Sequence, residues 1–359
     1  MYCAIIAGGG GTRLWPKSRR KQPKQLLTLQ GDASLFQQAA ERVLPLCGID
    51  GLLVVTSQDL APIMRKLLPD IPPSHIVAEP MPRQTAMAIG LAAIRVEREN
   101  PQAVLASVGA DHLIADVAGF RRCLEIGARV AEQGDYLVTI GVQPTAPNTG
   151  YGYIKAGPEA TRVGDAPVYA VDSFKEKPDR DTAQRYLDAG GYYWNSNYFV
   201  WRVSTLLQAF EQFAPAMYQG LRRLQGALDT PDEERVAREV FSSVPADPID
   251  TAILEKAGNL VVVPGTFDWV DVGNWNDMYV VAQEDGDNHT VGDGDGPVLF
   301  EDSRDCLVHR ADRLIALIGV ENLVVVDTED AVLILPRDRD QDVRRIVARL
   351  REQGLEEYL

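Results

Sequence analysis

The feature that most constrains the fold is an alternation of short apolar runs with helix-like segments over the first 141 residues. The apolar runs have the length of strands, and the segments between them carry apolar residues at helical spacing. This order predicts a mainly parallel sheet, because parallel neighbours are joined by long and usually helical crossovers. The predicted strands are Tyr2–Ala7, Leu52–Thr56, Ile76–Glu79, Ala103–Val108 and Tyr136–Gly141. The predicted helices are Ser34 to about Leu46, where Ser34 and Gln37 have capping-box spacing, then Pro62–Leu68, Thr85–Glu99 and a fourth ending near Gln133.

The chain changes character after residue 150. Further β-type runs are predicted at Tyr151–Lys155, Val168–Lys175 and Tyr198–Val203, and helices at Thr205–Leu224, with a break near Pro215, and Pro231–Phe241. A Gly- and Asp-rich stretch from Glu284 to Gly296 indicates a domain boundary. Short β-type runs follow over Pro297–Pro336, and a basic amphipathic helix is predicted over Asp340–Gln353. We therefore predict an α/β fold with one large domain over residues 1–283 and a small domain over residues 284–359.

The net charge of −15 limits the partners of the chain. Nucleic acids and anionic membrane surfaces bind basic faces, so neither is expected as a partner. No apolar stretch approaches the roughly 20 residues that span a bilayer, and Met1–Ala7 lacks the basic start of a signal peptide. The four cysteines are scattered, without a CxxC pair, which favours reduced thiols. We expect a cytoplasmic protein.

A glycine run directly follows the first predicted strand. Gly8, Gly9, Gly10 and Gly11 lack the Cβ atom that would keep backbone N–H groups away from an anion. The segment Arg13–Lys24 then carries six cations and no acidic residue, namely Arg13, Lys17, Arg19, Arg20, Lys21 and Lys24. An acidic protein that binds polyphosphate needs such a local concentration of positive charge. We interpret the segment as a triphosphate cradle, the alternatives being a structural tight turn and a solvated basic loop.

These residues and several later motifs resemble the sugar-phosphate nucleotidyltransferase family. Gly8–Arg19 and Gln22–Gln25 are similar to its signature, and the Leu-Trp-Pro and Pro-Lys-Gln variants look like its mannose-1-phosphate guanylyltransferase branch. The other matching segments follow in order: Glu79-Pro80 with Arg83–Ala86, Ala110–His112, Gly150–Ile154, Phe174–Pro178, Trp194–Ser196, Ile249-Asp250 and Trp269–Trp275. The resemblance implies a Rossmann-like nucleotidyltransferase domain with a mainly parallel or mixed sheet over residues 1–283. It also implies a short β-helix-like domain with a terminal helix over residues 284–359.

The resemblance implies that a sugar 1-phosphate attacks the α-phosphorus of GTP and expels pyrophosphate. Arg13 would then hold the triphosphate and Lys24 would lie near the α-phosphate. The other nucleotide-binding residues implied are Gly8, Gly9, Gly10, Gly11, Thr12, Glu79, Arg83, Gln84, Thr85 and Gly109. Guanine presents N–H donors, so its recognition needs acceptors such as the Glu79 carboxylate. Two positions depart from the family pattern nearby, with Gln84 replacing a usual Asn and Lys17 a frequent Leu.

Two aspartates match the family's metal ligands. Asp111 follows a predicted strand at the sheet edge where open α/β folds bind ligands, and Asp271 lies in the Trp269–Trp275 motif. Hard oxygen ligands together with substrate phosphates suit Mg²⁺, which is the expected cofactor. The alternatives are that Asp111 caps the next helix and that Asp271 belongs to a tight turn. We interpret His112 as a structural or hydrogen-bonding neighbour.

The sugar-phosphate site is implied by a second group of motifs. Lys177 offers a compact charge to a phosphate monoester, and Glu176 can accept hydrogen bonds from sugar hydroxyls. Asn195 can donate and accept, Gly150 would let the backbone approach the sugar, and Asp250 is a weaker candidate. Exposed strand-end charges, a turn asparagine and a hairpin glycine are the structural alternatives. Asn197 stands where the family commonly has Gly.

The predicted activity is transfer of GMP from GTP to α-D-mannose 1-phosphate, giving GDP-mannose and pyrophosphate. The alternatives are a related nucleotidyltransferase with another base or sugar, and a non-catalytic sensor of nucleotide sugars. The partners expected are GTP and mannose 1-phosphate. The apolar β-type runs of the C-terminal domain also suggest a homodimer through that domain.

Overall fold

The computed structural model describes residues 1–9, 11–29, 32–282, 287–292 and 294–359. Its strands are β1 Tyr2–Ala7, β2 Leu52–Ser57, β3 Ile76–Glu79, β4 Val104–Gly109, β5 Leu113–Ile114, β6 Leu137–Val142, β7 Tyr153–Val163, β8 Ala166–Lys175, β9 Tyr192–Arg202, β10 Leu260–Gly265, β11 Trp269–Val270, β12 His289–Val291, β13 Val298–Glu301, β14 Leu307–His309, β15 Ile315–Ile318, β16 Leu323–Asp327 and β17 Val332–Pro336.

The α-helices are α1 Leu35–Cys47, α2 Ala61–Leu67, α3 Gln84–Glu99, α4 Val117–Gln133, α5 Arg180–Ala189, α6 Val203–Phe213, α7 Pro215–Ala227, α8 Glu233–Ser243, α9 Ile249–Ala252, α10 Trp275–Val281 and α11 Val343–Glu352. Short 3₁₀ turns lie at Thr12–Leu14, Lys24–Leu26, Pro73–His75, Leu254–Lys256, Arg337–Asp342 and Glu356–Tyr358. None of the helices in the described part of the chain is long and apolar enough to cross a bilayer.

Backbone proximity divides the chain into two compact units that do not follow chain order. The first unit contains residues 1–8, 39–110 and 114–269, and the second contains residues 9–38, 111–113 and 270–359. The domain boundary predicted between residues 283 and 284 falls on 283–286, outside the described residues. That boundary stays a prediction.

The first unit is built on a nine-stranded mixed sheet in the order β3-β2-β1-β4-β9-β6-β10-β8-β7. The strands β3, β2, β1 and β4 run parallel, as do β6 and β10. The long strand β9 enters antiparallel between β4 and β6. The parallel strands are nearly all apolar, as expected where helices cover both faces of a sheet. The predicted α/β class with a mixed sheet is confirmed.

The helix α3 belongs to an apolar core of the first unit. Its residues are buried continuously from Ala86 to Val96, and they pack with side chains of α6, α7 and α8. Gly90 lets α7 approach closely, because a Cβ atom there would lie 2.6 Å from the Leu221 side chain. Burial on this scale stabilises a fold by roughly 25 cal/mol per Å² of apolar surface.

The second unit contains stacked parallel strands of the β-helix kind. His289 of β12 pairs with Leu307 of β14, and Leu307 pairs in turn with Val324 of β16. The strands β13 and β15 form a separate parallel pair, and β17 closes the four-stranded sheet antiparallel to β16. Each chain segment therefore stacks on the segment before it, as the small β-helix-like domain was predicted to do.

The apolar core of the second unit joins the residues after the glycine run to these stacked strands. Leu14 and Trp15 belong to one buried cluster with side chains of β14, β16, β17 and α11. The indole of Trp275 donates to the backbone oxygen of Trp15 over 3.0 Å, and the indole of Trp15 donates to the backbone oxygen of Tyr358 over 2.7 Å. The segment with the predicted triphosphate cradle is thus folded together with residues more than 250 positions later.

Several predicted boundaries differ from the structure. The strands β7 and β9 are longer than predicted, and the helix α5 was not predicted. The terminal helix was predicted from Asp340, but Arg337–Asp342 is a 3₁₀ turn and the α-helix begins at Val343. The non-helical backbone of Arg339 (φ −110°, ψ 17°) makes a kink within Arg337–Asp342.

Candidate functional site

A buried lysine lies between two carboxylates in the second unit. The ammonium of Lys24 is 2.9 Å from Oδ2 of Asp111 and 3.0 Å from Oδ1 of Asp271, and it also donates to the backbone oxygen of Asp271. Only 5% of Lys24 is exposed. Asp111 lies just beyond β4, and Asp271 just beyond β11. The structure thus brings together three predicted residues from three separate segments of the chain.

The charges of this cluster control each other's protonation. Burial lowers the pKa of Lys24, but the two carboxylates outweigh it and the pKa is raised above its ordinary value. Burial also acts to raise the pKa of Asp271, and it is outweighed by Lys24, His112 and Arg13, so that this pKa lies well below its usual range. Lys24 and Asp271 are therefore both charged at neutral pH.

A histidine lies beside the two carboxylates. Nε2 of His112 lies 3.6 Å from Oδ1 of Asp111 and 3.5 Å from Oδ1 of Asp271. One possible ligand atom from each of the three residues lies within 4.8 Å of the other two. The helix that follows Asp111 is capped by Asp116, whose side chain accepts from the backbone N–H of Gly119. The cap alternative for Asp111 is therefore not what the structure shows.

Gly11 allows Lys24 to pack closely against the glycine run, and Gly8 and Gly9 leave space beside the backbone. Gly11 has φ 54°, and a Cβ atom there would lie 2.5 Å from Cβ of Lys24. Gly9 has φ 101°, and added Cβ atoms at Gly8 and Gly9 would meet no neighbour within 4 Å. Gly10 lies outside the described residues, and the exposed Thr12 begins a 3₁₀ turn.

Arg13 lies beside the same cluster. Its Nη1 donates to Oε1 of Gln341 over 3.3 Å. A Cβ atom at Gly273 would lie 3.3 Å from Nη2 of Arg13 and 3.5 Å from Oδ2 of Asp271. Nη1 of the guanidinium therefore donates to Gln341, and Nη2 lies near Gly273 on the side of Asp271.

A second cluster lies in the first unit and gathers predicted sugar-site residues. Nδ2 of Asn195 donates to Oδ1 of Asp250 over 2.9 Å and to Oδ1 of Asn197 over 3.2 Å. A Cβ atom at Gly152 would lie 2.8 Å from Oε2 of Glu176 and 3.5 Å from Cβ of Asn195. Asn195 therefore contacts Asp250 on one side and lies near Gly152 and Glu176 on the other.

The remaining predicted sugar-site residues differ in exposure. Lys177 pairs with Glu176 at the surface, and the backbone N–H of Gly150 donates to Oδ1 of Asn148 over 2.7 Å in an exposed turn. Burial raises the pKa of Asp250 to about 6, although the hydrogen bond from Asn195 opposes the shift. The carboxyl of Asp250 therefore titrates close to physiological pH.

The predicted guanine-side segment contains a half-buried glutamate, of which Oε1 is shielded from solvent. Glu79 ends β3, and its Oε1 has no hydrogen-bond partner among the described residues. Burial raises the pKa of Glu79 to about 8. A buried polar atom without a partner is costly, and a carboxyl with a raised pKa is a candidate for a functional site.

The other residues of this segment are engaged within the fold. Nε of Arg83 donates to the backbone oxygen of Phe241, and Oγ1 of Thr85 accepts from the N–H of Ile249 over 2.9 Å. Gln84 has φ 61°. Gly109 is the last residue of β4 and pairs with Ile6 of β1.

Comparison with known proteins places the chain in a family. The profile described as "Nucleotidyl transferase" matches residues 3–288, well over half of the sequence. The chain belongs to the nucleotidyl transferase family. The "MannoseP isomerase/GMP-like beta-helix domain" matches residues 297–350, which contain the strands β13 to β17 of the second unit.

Relatives within the nucleotidyl transferase family cover nearly the whole chain. A mannose-1-phosphate guanylyltransferase of Escherichia coli is 36% identical over 99% of this chain and 74% of its own length. The alginate biosynthesis protein AlgA of Pseudomonas aeruginosa is 38% identical over 99% of this chain and 73% of its own length. A crystal structure from Thermus thermophilus, described as a mannose-1-phosphate geranyltransferase, has a TM-score of 0.88 at 33% identity, covering 98% of this chain and 99% of that one. The resemblance based on the motifs is confirmed, and the protein is a nucleotidyltransferase.

Nucleotidyl transferases of this family typically use a divalent metal ion. The donors gathered here suit one, because carboxylate oxygens are the preferred ligands of hard cations and an imidazole is tolerated beside them. Lys24 already shows that the two carboxylates attract a cation. Asp111, His112 and Asp271 are the residues that could hold the metal.

Three residues of this nucleotidyl transferase site were missed or given a lesser role by sequence reasoning. His112 was interpreted as a structural or hydrogen-bonding neighbour, and it does lie beside both carboxylates. Asp277 accepts from the N–H groups of Gly273 and Asn274, and the Asn274-x-x-Asp277 spacing is a signal that could have identified it. Gln341 lies in the C-terminal segment and has no local motif.

Proposed function

We propose that this chain transfers GMP from GTP to α-D-mannose 1-phosphate and releases GDP-mannose and pyrophosphate. The observation that carries the proposal is the junction of Lys24, Asp111 and Asp271 beside Arg13 in a chain with guanylyltransferase relatives. Two anions must meet for this reaction, so a site that concentrates cations and metal ligands is what the chemistry requires.

The reaction exchanges one phosphorus–oxygen bond for another. An oxygen of the sugar phosphate attacks the α-phosphorus of GTP in line with the leaving group, and the bond from the α-phosphorus to the bridging oxygen breaks. The leaving pyrophosphate takes the electron pair. No general base is needed, because a phosphate monoester with a second pKa of about 6 is largely dianionic at neutral pH.

Lys24 and Arg13 position and neutralise the triphosphate in this proposal. Lys24 is charged and buried, so its ammonium acts in a low-dielectric setting where its effect on developing charge is strong. Arg13 offers a forked guanidinium that matches phosphate oxygens. The backbone of Gly8, Gly9 and Gly11, with Thr12, lines the phosphates.

We propose Mg²⁺ as the divalent ion, held by Asp111 and Asp271. It would supply charge neutralisation to the phosphate oxygens when bound. Lys24, Asp111 and Asp271 together carry one net negative charge, so the carboxylates can hold a cation in addition to the ammonium. His112 orients both carboxylates through its contacts with Oδ1 of each.

The first unit supplies specificity in this proposal. Glu79 reads the N–H donors of guanine, with Arg83, Gln84, Thr85 and Gly109 shaping the backbone around the base. Glu176, Asn195 and Asp250 bind the mannose hydroxyls, Gly150 lets the chain approach the sugar, and Lys177 binds its phosphate.

We also propose a cytoplasmic location and a homodimer. All four cysteines are free thiols, which suits a reducing compartment, and GTP and sugar phosphates are cytoplasmic substrates. The dimer would form through the β-helix-like part, where Ile318 and Ile334 are 71% and 62% exposed. Exposed apolar patches of this kind mark protein contacts.

Pyrophosphate release tests the activity directly. The full chain is incubated with mannose 1-phosphate and GTP, ATP, UTP or dTTP, with Mg²⁺ or with EDTA. We expect release with GTP and Mg²⁺ alone. Release with another nucleotide would overturn the base assignment, and silence with every nucleotide would overturn the catalytic assignment and favour a sensor.

The metal role is tested by Asp111→Asn. This change removes a charge but keeps the shape, so turnover should fall by about 10²–10³-fold while the thermal unfolding curve stays in place. Asp116→Asn is the matched control, since asparagine caps a helix as well as aspartate does. Unchanged Mg²⁺-dependent activity in Asp111→Asn would refute the metal role.

A further inference from the structure

The guanidinium of Arg13 is held from the C-terminal side of the second unit. Nη1 donates to Oε1 of Gln341, which lies in the 3₁₀ turn Arg337–Asp342 between β17 and α11. A Cβ atom added at Gly273 would lie 3.3 Å from Nη2, 3.4 Å from Oδ2 of Asp277 and 3.5 Å from Oδ2 of Asp271. One nitrogen of the fork is thus used for anchoring, and the other is presented to the charged cluster.

The backbone around Arg13 is fixed by contacts from the same part of the chain. The indole of Trp15 donates to the backbone oxygen of Tyr358 over 2.7 Å. Arg19 forms a bidentate ion pair with Asp330, in which Nη1 lies 2.7 Å from Oδ2 and Nη2 contacts Oδ1. Leu14, between Arg13 and Trp15, is fully buried in the cluster that contains side chains of β16, β17 and α11.

These contacts hold the backbone at Arg13, so only the conformation of its side chain remains to be fixed. A long arginine side chain loses much rotamer entropy when it is ordered, and a phosphate-binding arginine that is ordered beforehand binds more tightly. Gln341 is well suited to order it, because an uncharged acceptor directs the guanidinium without adding a further negative charge to those of Asp271 and Asp340, with which Arg13 interacts. A carboxylate at this position would compete with the phosphates for Arg13.

We propose that Gln341 is a positioning residue that holds Arg13 in its triphosphate-binding orientation. The β-helix-like part of the chain then contributes to catalysis through one side chain, in addition to its role in the core. This inference rests on the proposed function, since it assigns Gln341 an effect on GTP that acts through Arg13.

The test is steady-state kinetics of Gln341→Met, which keeps the length of the side chain but removes the acceptor. We expect the KM for GTP to rise by about tenfold, because a misplaced binding group loses affinity for the substrate part it contacts. The KM for mannose 1-phosphate and the melting temperature should stay close to those of the wild type. Gln353→Leu removes an exposed glutamine of the same terminal segment and should change none of these values.

A double-mutant cycle separates positioning from a structural role. In an Arg13→Lys background the fork is absent, so adding Gln341→Met should change the KM for GTP by less than about twofold. A tenfold effect that persists in the Arg13→Lys background would overturn the proposal, as would a Gln341→Met enzyme with the wild-type KM. A wild-type chain that releases no pyrophosphate from GTP would instead refute the proposed function and not the Arg13–Gln341 contact.

Discussion

At the scale of single residues, two departures from the family pattern have the same backbone cause. Gln84 and Asn197 both lie in the left-handed region, with φ 61° and φ 57°. Glycine adopts this region freely and asparagine tolerates it better than other residues do. A family that has Asn at the first position and Gly at the second is thus satisfying backbone geometry, and this chain uses the less suitable residue at each.

The strain at Gln84 is open to a stability test. Gln84→Asn should raise the free energy of unfolding by about 0.5–1 kcal/mol, because left-handed backbone costs a glutamine more than an asparagine. Urea unfolding measures the difference. Gln102→Asn is the matched control at an exposed residue outside the left-handed set, and it should change stability little. A destabilised Gln84→Asn would show that the glutamine side chain makes a contact worth more than the strain.

Glu79 gives a prediction about protons. Its pKa of about 8 means that the free enzyme carries a protonated Glu79 at pH 7. A carboxyl whose two oxygens each accept from a guanine N–H group is ionised, so binding GTP lowers its pKa and releases up to about one proton. Calorimetry of GTP binding in buffers of different ionisation enthalpy measures this release. Glu79→Gln should abolish it, and an unchanged release in that variant would exclude Glu79 as the guanine reader.

Glu79 also makes the free energy of unfolding depend on pH, and the direction follows from its raised pKa. Because the folded pKa of Glu79 lies above the unfolded one, its contribution is fully present at acid pH and is lost as the pH rises towards about 8. The free energy of unfolding of Glu79→Gln should lack this part of the pH dependence.

At the scale of elements, the start of α10 fixes the loop that carries Asp271. Asn274 and Asp277 form a capping box, in which the N–H of Asp277 donates to Oδ1 of Asn274 over 2.9 Å. Asp277 also accepts from the N–H of Gly273 over 2.6 Å. The cap therefore anchors the two residues that follow Val272 as well as the helix.

Removing this cap should affect both stability and rate. Asp277→Ala should lower the free energy of unfolding by about 1–2 kcal/mol and should lower kcat, because the loop of Asp271 loses its anchor. Ser34→Ala removes the Ser34–Gln37 box at the start of α1 and should lower stability without lowering kcat. Equal kcat values in the two variants would show that the Asp277 cap serves the helix alone.

The sequence predicted the start or end of an element well where one local feature, such as a capping box or a proline, determines it. The Ser34–Gln37 box is formed as predicted, and the helix break near Pro215 is real, because α6 ends at Phe213 and α7 begins with Pro215. The helix α5 gave no apolar signal, since Ala183 is its only buried residue. The sequence signal for this helix is its N-cap residue, Asp179, and not hydrophobic periodicity.

The candidate site was predictable only in part for a related reason. Lys24, Asp111 and Asp271 each stand in a motif, and the resemblance supplied the expectation that they act together. Gln341 stands in no motif, because its role depends on where β17 and the following turn place it. Contacts between distant segments carry no local pattern, so the structure was needed to find them.

At the scale of the whole molecule, the exposed apolar side chains of β15 and β17 predict association. Ile318→Asp combined with Ile334→Asp should convert a dimer into a monomer, because each change places a charge in a desolvated contact. Light scattering after size-exclusion chromatography measures the mass. A wild-type protein of single-chain mass at micromolar concentration would contradict the homodimer.

The second unit is formed from distant segments of the chain, and this has a consequence for folding during synthesis. Proteins fold from the N-terminal side as they leave the ribosome, but Leu14 and Trp15 find their core partners only in residues such as Val324 and Val347. A nascent chain can therefore complete the large sheet while its glycine run and Lys24 are still without their packing. Synthesis itself delays the appearance of a competent phosphate site, so a prematurely terminated product would be folded in part and inert.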